Sequence, residues 1–292
     1  MLTQIETAFH ARSESERTAR ASEERMRQFV ADASHELRTP VTVIRGYAEY
    51  YRQRGGLDPG AFTTAPPVPA PGPAGNGADR GDGPLTRTDM DRIIERVEQE
   101  STRMGGLVED LLLLARLDQQ RPIERRPVDL LTLAGDAVAD ARAIAPTRKI
   151  ELAVEAGSAF LVLGDEGKLR QVIGNLMSNA LTHTPDGTPV DVRILTGQKA
   201  GSPPVPGVTL EVADTGPGMT AEQAGHVFER FYRADQARGR STGGTGLGLA
   251  IVSALVAAHG GTVCVDTAPG KGATFRLTLP LAPEARDGSA DG

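Results

Sequence analysis

Tryptophan is absent from this 292-residue chain, and aromatic residues of all kinds make up only 4% of it. Its core must therefore be built from aliphatic side chains. Cys264 is the only cysteine, which excludes an internal disulfide framework and any multi-thiolate metal site. Positive charge is not in excess: 32 Lys and Arg stand against 38 Asp and Glu, for a net charge of −6. A chain of that sign is not expected to bind nucleic acid through the phosphate backbone. Long apolar runs are missing as well. The longest mostly apolar stretch, residues 247–258, holds 12 residues including Gly248 and Ser253, too short to span a bilayer. No basic stretch followed by an apolar segment opens the chain, so no signal peptide is expected, and the chain as given reads as cytoplasmic. What is present is an ordinary globular mix, with 39% hydrophobic and 24% charged residues. The length suits two domains.

The sharpest change in composition falls at residues 55–84, where Gly and Pro fill 15 of 30 positions. Such a stretch buries too little apolar surface to offset its ordering entropy, so it is expected to be a disordered insertion. Milder breaks at 121–127 and 197–207 carry prolines, arginines or glycines that stop regular structure. The last ten residues are mostly polar or small and are expected to fray.

On either side of the insertion the apolar residues keep a helical period. Met26, Val30, Ala33, Leu37, Val41, Ile44, Ala48 and Tyr51 follow one stripe, and Met90, Ile94, Val97, Ser101, Met104, Val108, Leu111 and Ala115 follow another. Two antiparallel helices with one seam each leave apolar surface uncovered, and dimerising into a four-helix bundle covers it. On pattern alone, a coiled-coil spacer without chemistry fits equally well. Upstream, Leu2, Ile5 and Phe9 look like the end of an input helix.

Beyond Val128 the period changes. Helices are expected over 130–145, 168–183 and 246–259. Strands are expected over 150–154, 160–163, 190–195, 208–212, 262–266 and 274–279, the last two joined at Pro269 and Gly270. This mixture suggests an α/β layer sandwich of about 155 residues.

His35 falls about 140° from the middle of the first apolar stripe, so it points to solvent rather than into a seam. Glu36 is adjacent and Thr39 lies one turn on, on the same face. Pro40 removes a helical hydrogen bond and should bend the helix there. A solvent-facing imidazole beside a carboxylate suits a nucleophile with its base, although a surface histidine without a role has the same pattern. A His-Glu-x-x-His zinc site is excluded, because Thr39 stands where the second histidine is required.

In the second half, Asn175 and Asn179 are one turn apart on one helix and present two neutral oxygen donors, which suits Mg²⁺ completed by phosphates and water. Asp214-Thr-Gly-Pro-Gly218 follows a strand. Its Gly216 and Gly218 allow close approach of a flat ligand, and Asp214 can accept from an exocyclic amine; a plain turn has the same composition. Residues 243–249, Gly-Gly-Thr-Gly-Leu-Gly-Leu, open a helix with bare backbone N–H groups suited to phosphate. They match neither the dinucleotide fingerprint nor the P-loop. The polar segment before them looks like a lid. Arg230 and Arg233, set among Phe228, Phe231 and Tyr232, form a candidate phosphate clamp.

Together and in this order, these segments resemble a sensor histidine kinase of the HisKA type carrying a GHKL-superfamily ATP-binding domain. The likeness spans roughly residues 22–282. Residues 29–40 resemble the H box, 175–185 the N box, 214–218 the first Gly box, 228–231 the F box and 244–249 the second Gly box. Residues 270–275 resemble the motif that closes the ATP domain. The fold implied is an antiparallel helical hairpin forming a dimeric four-helix bundle, followed by a GHKL (Bergerat-type) α/β sandwich.

The resemblance implies a domain order: an input helix over 1–24 similar to the end of a HAMP helix, a dimerisation and phosphotransfer domain over 25–120, a linker over 121–127, an ATP-binding domain over 128–282 and a tail over 283–292. It implies His35 as phosphoacceptor, Glu36 as base or orienting carboxylate, and Thr39 as the residue that positions water for dephosphorylating the partner. Asn175 and Asn179 would hold Mg²⁺, and Asp214, with Gly216 and Gly218, would take adenine. Arg233 and the loop of Gly244, Gly246, Leu247, Gly248 and Leu249 would contact the β- and γ-phosphates. Thr274 would support the adenine pocket through a water. The sequence departs from the family at Thr182 and His183, where Lys and Tyr often stand; His183 offers a ring N–H in place of the missing cation.

The implied activity is ATP-dependent autophosphorylation of His35, then transfer to an aspartate of a response regulator receiver domain. The implied state is a homodimer, with a bacterial inner-membrane parent anchored through a segment absent from this chain. A gyrase-like ATPase needs a catalytic Glu where Asn175 stands, and asparagine is a poor base. An ATP-binding scaffold, or a phosphatase-biased sensor, remains as the alternative, because losing a phosphate cation weakens transition-state stabilisation.

Overall fold

The computed structural model describes residues 31, 33–53, 85–119, 123–155, 160–199, 205–234 and 245–283. The expected input segment, Met26 and Val30, the 55–84 insertion, the polar segment with Gly244, and all but Pro283 of the tail lie outside these residues. The chain divides into two compact units, Met1–Glu109 and Asp110–Gly292.

Helix α1 covers 33–53 and continues through Pro40, which is buried. Proline here is accommodated inside the helix rather than ending it. Helix α2, Arg87–Asp118, runs through the boundary between the units. A reciprocal cap opens it: Thr86 Oγ1 accepts from the Asp89 N–H and Asp89 Oδ2 accepts from the Thr86 N–H. Its apolar surface is wider than a single seam. Ile93 and Leu107 are buried, whereas the expected seam residues Ile94 and Val108 remain 47% and 42% exposed. In α1, Val41 is likewise 48% exposed. One apolar face packs within the chain and the adjoining one is open.

The second unit is an α/β sandwich. After α2 come β1 (Arg126–Asp129), α3 (Leu130–Ile144), β2 (Ile150–Val154), β3 (Leu161–Gly164), α4 (Glu166–Thr182), β4 (Val190–Lys199), β5 (Val205–Asp214), α5 (Ala221–His226), α6 (Gly248–Ala258), β6 (Thr262–Thr267) and β7 (Ala273–Pro280). Five strands form one sheet in the order β2-β4-β5-β7-β6, antiparallel except for the β2–β4 pair. Strands β1 and β3 pair separately. Aspartates cap two of the helices, Asp129 accepting from the Leu131 N–H and Asp165 from the Lys168 N–H.

Alternation along the strands sends Val190, Val192, Ile194, Val208, Leu210, Val212, Phe275, Leu277 and Leu279 to one buried face. The helices supply Leu169, Val172, Ile173, Leu176, Ile251, Val252 and Leu255, all buried. Each such aliphatic side chain contributes about 1.5–3 kcal/mol when removed from water.

Two differences from the sequence expectations have clear causes. Within the break expected at 197–207, the described residues 197–199 and 205–207 are strand, with Gly197 opposite Gly207 and Gln198 opposite Pro206. Pairing along a ten-residue antiparallel ladder overrides the local Gly and Pro signal, and the Pro206 carbonyl accepts from the Leu281 N–H. Strand β1 starts at the end of the stretch expected as a linker, at Arg126 and Pro127, because Pro127 and the arginines hide a short pairing with β3 that exists only in three dimensions.

Candidate functional site

The helices that carry the motifs meet beside the end of β5. On α4, Asn175 and Asn179 are both half-buried. Asn175 Nδ2 donates to the Gly248 carbonyl at 3.1 Å, joining α4 to the first turn of α6. That bond fixes the Asn175 amide so that Oδ1 is its acceptor side. Helix α6 begins without a side-chain cap from Leu247, and the N–H groups of its first turn have no intrahelical acceptor. Such a helix start suits an anion. Leu247, the residue before it, is fully buried, so its part in the loop is backbone. Leu249 is half-buried.

Asp214 ends β5. Its Oδ1 accepts from the Gly216 N–H at 2.8 Å. Burial raises its carboxyl pKa above the ordinary carboxylate range, while the Gly216 and Ala273 N–H groups and the Arg148 charge pull it back. The glycines around it are there for space. A Cβ on Gly216 would lie 2.5 Å from Thr184 Cγ2, and one on Gly218, whose φ is +66°, would lie 2.0 Å from the Ala268 carbonyl oxygen. Only glycine fits these close approaches.

The F-box turn is tied to the second Gly box. The Phe231 N–H donates to the Gly246 carbonyl at 3.0 Å. Phe231 is a non-glycine residue at φ 60°, a costly conformation held by this tie to the Gly246 carbonyl. Phe228 packs edge-on against Phe275, anchoring the turn to β7. The two arginines expected as a clamp separate. Arg230 grips Asp118, at the end of α2, with bonds of 2.7 and 2.9 Å, and is not available to phosphate in this arrangement. Arg233 faces His183 instead. Desolvation lowers the pKa of His183 below its ordinary value, and the Arg233 charge adds to this. Neutral His183 and cationic Arg233 thus share one side of the site.

Thr274 is not placed for its expected role. It pairs with Ala213, and strand alternation turns it to the sheet face opposite Ala273 and Phe275. Ala273 is the neighbour of Asp214, through its backbone N–H. Reading face parity requires the register, which the sequence motif does not contain.

On α1, His35 is exposed and Glu36 half-buried. Thr39 is exposed, and its Oγ1 lies 3.4 Å from the His35 carbonyl, a long back-bond to the preceding turn. The outward His35 is available to solvent species.

Among the described residues three buried polar ones escape sequence reasoning: Glu211, which pairs with Arg276 across β5 and β7, Arg148 and His259. Arg148 lies between α3 and β2, and His259 ends α6. The His259 Nδ1–H donates to the Leu255 carbonyl at 2.7 Å, while Nε2 accepts from the Asp165 N–H at 3.1 Å. Neutral His259 thereby ties the end of α6 to the N-cap of α4. A histidine followed by Gly260 and Gly261 after an apolar helix was the available signal; nothing comparable marks Arg148.

Comparison with known proteins agrees with this geometry. The family described as "His Kinase A (phospho-acceptor) domain" matches residues 25–63, and "Histidine kinase-, DNA gyrase B-, and HSP90-like ATPase" matches residues 164–283. The chain is 44% identical over 281 residues to the "Probable sensor histidine kinase TcrY" of Mycobacterium tuberculosis, covering 96% of this chain and 50% of that protein. It is 34% identical to the "Sensor-like histidine kinase SenX3" of Mycolicibacterium smegmatis, covering 94% of this chain and 60% of that protein. The chain thus spans about half the length of TcrY. Among solved structures, full-length ShkA in complex with AMPPNP matches with a TM-score of 0.54 and 33% identity, over 68% of this chain and 40% of that one. The histidine kinase AdeS of Acinetobacter baumannii, at 22% identity and a TM-score of 0.55 over 85% of this chain and 98% of that one, shares the fold. The phospho-acceptor helix, the ATPase-type sandwich and these relatives together establish that the chain belongs to the sensor histidine kinase family.

Proposed function

We propose that this chain is the catalytic portion of a two-component sensor: it uses ATP to phosphorylate His35 and passes the phosphoryl group to an aspartate of a response regulator receiver domain. The observation that carries this reading is the Asn175–Gly248 hydrogen bond. It joins the helix of the candidate metal ligands to the helix start suited to phosphate. The AMPPNP complex of ShkA supports ATP as the nucleotide.

In this reading Asp214 accepts from the adenine amine, with the Gly216 N–H orienting its carboxylate and Gly218 letting the loop close against Ala268 beneath the base. The N–H groups at Gly246, Gly248 and Leu249 face the phosphates, with Gly244 in the same motif, while the Leu247 N–H donates to Thr245 Oγ1 and shapes the loop. Arg233, beside His183, supplies the cation that Thr182 does not. The donor set fits Mg²⁺: two neutral amide oxygens leave most of its coordination to phosphates and water. Asn175 and Asn179 would hold it, and when bound it would neutralise phosphate charge.

The His35 imidazole attacks the γ-phosphorus in line, and the bond to the bridging oxygen breaks as ADP leaves with the electron pair. Positioning and charge neutralisation supply most of the acceleration. Glu36 orients the ring or takes its proton. Thr39 positions water when the regulator's phosphoaspartate is hydrolysed. The functional unit is a homodimer. No described helix is long and apolar enough to cross a membrane. We place the chain on the cytoplasmic side of a longer, membrane-anchored parent, consistent with its share of its relatives' length.

The test is incubation with γ-labelled ATP. Acid-labile, base-stable label is expected on the unaltered chain. His35→Gln should bind ATP with the same affinity and remain at background; label retained on that variant would place the phosphoacceptor elsewhere.

A further inference from the structure

Arg148 belongs to none of the motifs, yet its side chain is 3% exposed. Both terminal nitrogens of the guanidinium are engaged. Nη1 donates to the Ala180 carbonyl at 3.1 Å and to Thr184 Oγ1 at 2.9 Å. Nη2 donates to the Pro185 carbonyl at 2.9 Å and, more weakly, to the Thr184 carbonyl at 3.4 Å. Its nearest carboxylate, Asp186, is fully exposed and 3.9 Å away, so solvent screens that pair. A buried cation held mainly by neutral carbonyls is expensive unless its geometry serves something.

Its partners all lie at the end of α4 and in the turn after it, where helix carbonyls have no intrahelical donor and a positive charge is favoured. One of them reaches the nucleotide site. Thr184 donates its hydroxyl to the Ala180 carbonyl at 2.6 Å while accepting from Arg148. With the hydroxyl held on that side, its methyl is turned toward Gly216, where a Cβ would come within 2.5 Å of Thr184 Cγ2. The Gly216 N–H then holds Asp214 Oδ1. Arg148, Thr184, Gly216 and Asp214 form a contiguous chain from the interior to the candidate base-reading carboxylate.

We infer that Arg148 is a positioning residue for base recognition, fixing through Thr184 and Gly216 the orientation in which Asp214 meets the exocyclic amine of adenine. The inference rests on the reading of Asp214 given above. Its charge acts in the same direction, since it favours the ionised carboxylate that accepts from the amine. A guanidinium that only capped α4 would contribute stability but would leave base selectivity alone.

The experiment compares ATP with purine riboside triphosphate, which lacks the 6-amino group, on the full chain. The unaltered protein should favour ATP by at least about tenfold in affinity, the scale of one lost hydrogen bond to a charged group. Asp214→Asn should lose that preference. Arg148→Met and Thr184→Val should move toward Asp214→Asn, with KM for ATP rising roughly tenfold, about 1.4 kcal/mol, and kcat changing much less. Thr184→Val decides the matter if Arg148→Met does not fold. Variants that melt earlier but keep the unaltered preference would overturn the positioning role while leaving Asp214 as base reader. Equal binding of the two triphosphates by the unaltered chain, or undiminished preference in Asp214→Asn, would remove the reading of Asp214 and this inference with it.

Discussion

In the first unit, among the described residues, the buried aliphatic side chains are Leu85, Ile93 and Leu107, while Val41, Ile94 and Val108 are between 42% and 48% exposed. In the second unit, α4, α6 and the central strands close over Leu176, Ile194, Leu210, Ile251, Leu255 and Leu277, each under 2% exposed. Both regions are rich in aliphatic residues, yet only one of them buries most of these within a single chain. A sheet with helices on one face is complete as a core, whereas a two-helix hairpin has apolar surface on more than one side of each helix. The ATP-binding unit is therefore expected to fold as a monomer, and the hairpin to need a second copy.

The largest test breaks the hairpin's side of the comparison. Val41→Glu combined with Ile94→Glu should halve the mass measured by light scattering, while ATP affinity stays the same. A dimer that survives both charges would show that the open face is not the dimer surface. Next, Ile251→Ala should lower the stability of the ATP-binding unit by about 2–5 kcal/mol, the usual range for a truncated core aliphatic, and leave the dimer mass intact. Calorimetry that finds both units melting earlier would contradict their independence. A smaller effect is expected from His259→Phe, which keeps the ring but leaves the Asp165 N–H without its acceptor. It should cost about 1–3 kcal/mol, seen as a shift of several degrees in the second transition.

The smallest effect lies on the surface. His226 Nδ1 sits 2.8 Å from Glu229 Oε1, and this hydrogen bond, followed by the Glu229 charge, raises the His226 pKa above the ordinary imidazole value. The folded value exceeds the unfolded one, so the pair stabilises the turn below the ordinary value. That contribution disappears as pH rises through the raised one. The NMR titration midpoint of His226 should fall in Glu229→Gln; an unchanged midpoint would mean the pair is not formed in solution.

How legible each region was in the sequence follows from the same physics. Helix α4 was readable because Leu169, Val172, Ile173, Leu176 and Ala180 keep one face over about three turns. Asn175, Asp214 and the glycines were readable because a short motif holds their local geometry. Strand β1 was not, since Pro127 and its arginine neighbours suppress any local strand signal and only β3 pairs them. Thr274 was misplaced because a one-residue choice of face is invisible without the register against β5. Arg230 looked like a phosphate clamp until the fold brought Asp118 to it across 112 residues.

By itself the sequence determined the elements whose causes are local: the period of the helices, the outward His35, the paired asparagines and the glycines that let backbones approach. Only the tertiary structure decided which polar groups are buried and by whom they are satisfied. The ties of Arg148 to the end of α4, of His259 to Asp165 and of Asn175 to Gly248 span 32 to 94 residues of chain. Such bonds depend on where distant segments pack, and packing is settled by the whole core rather than by any stretch of residues that could be read alone.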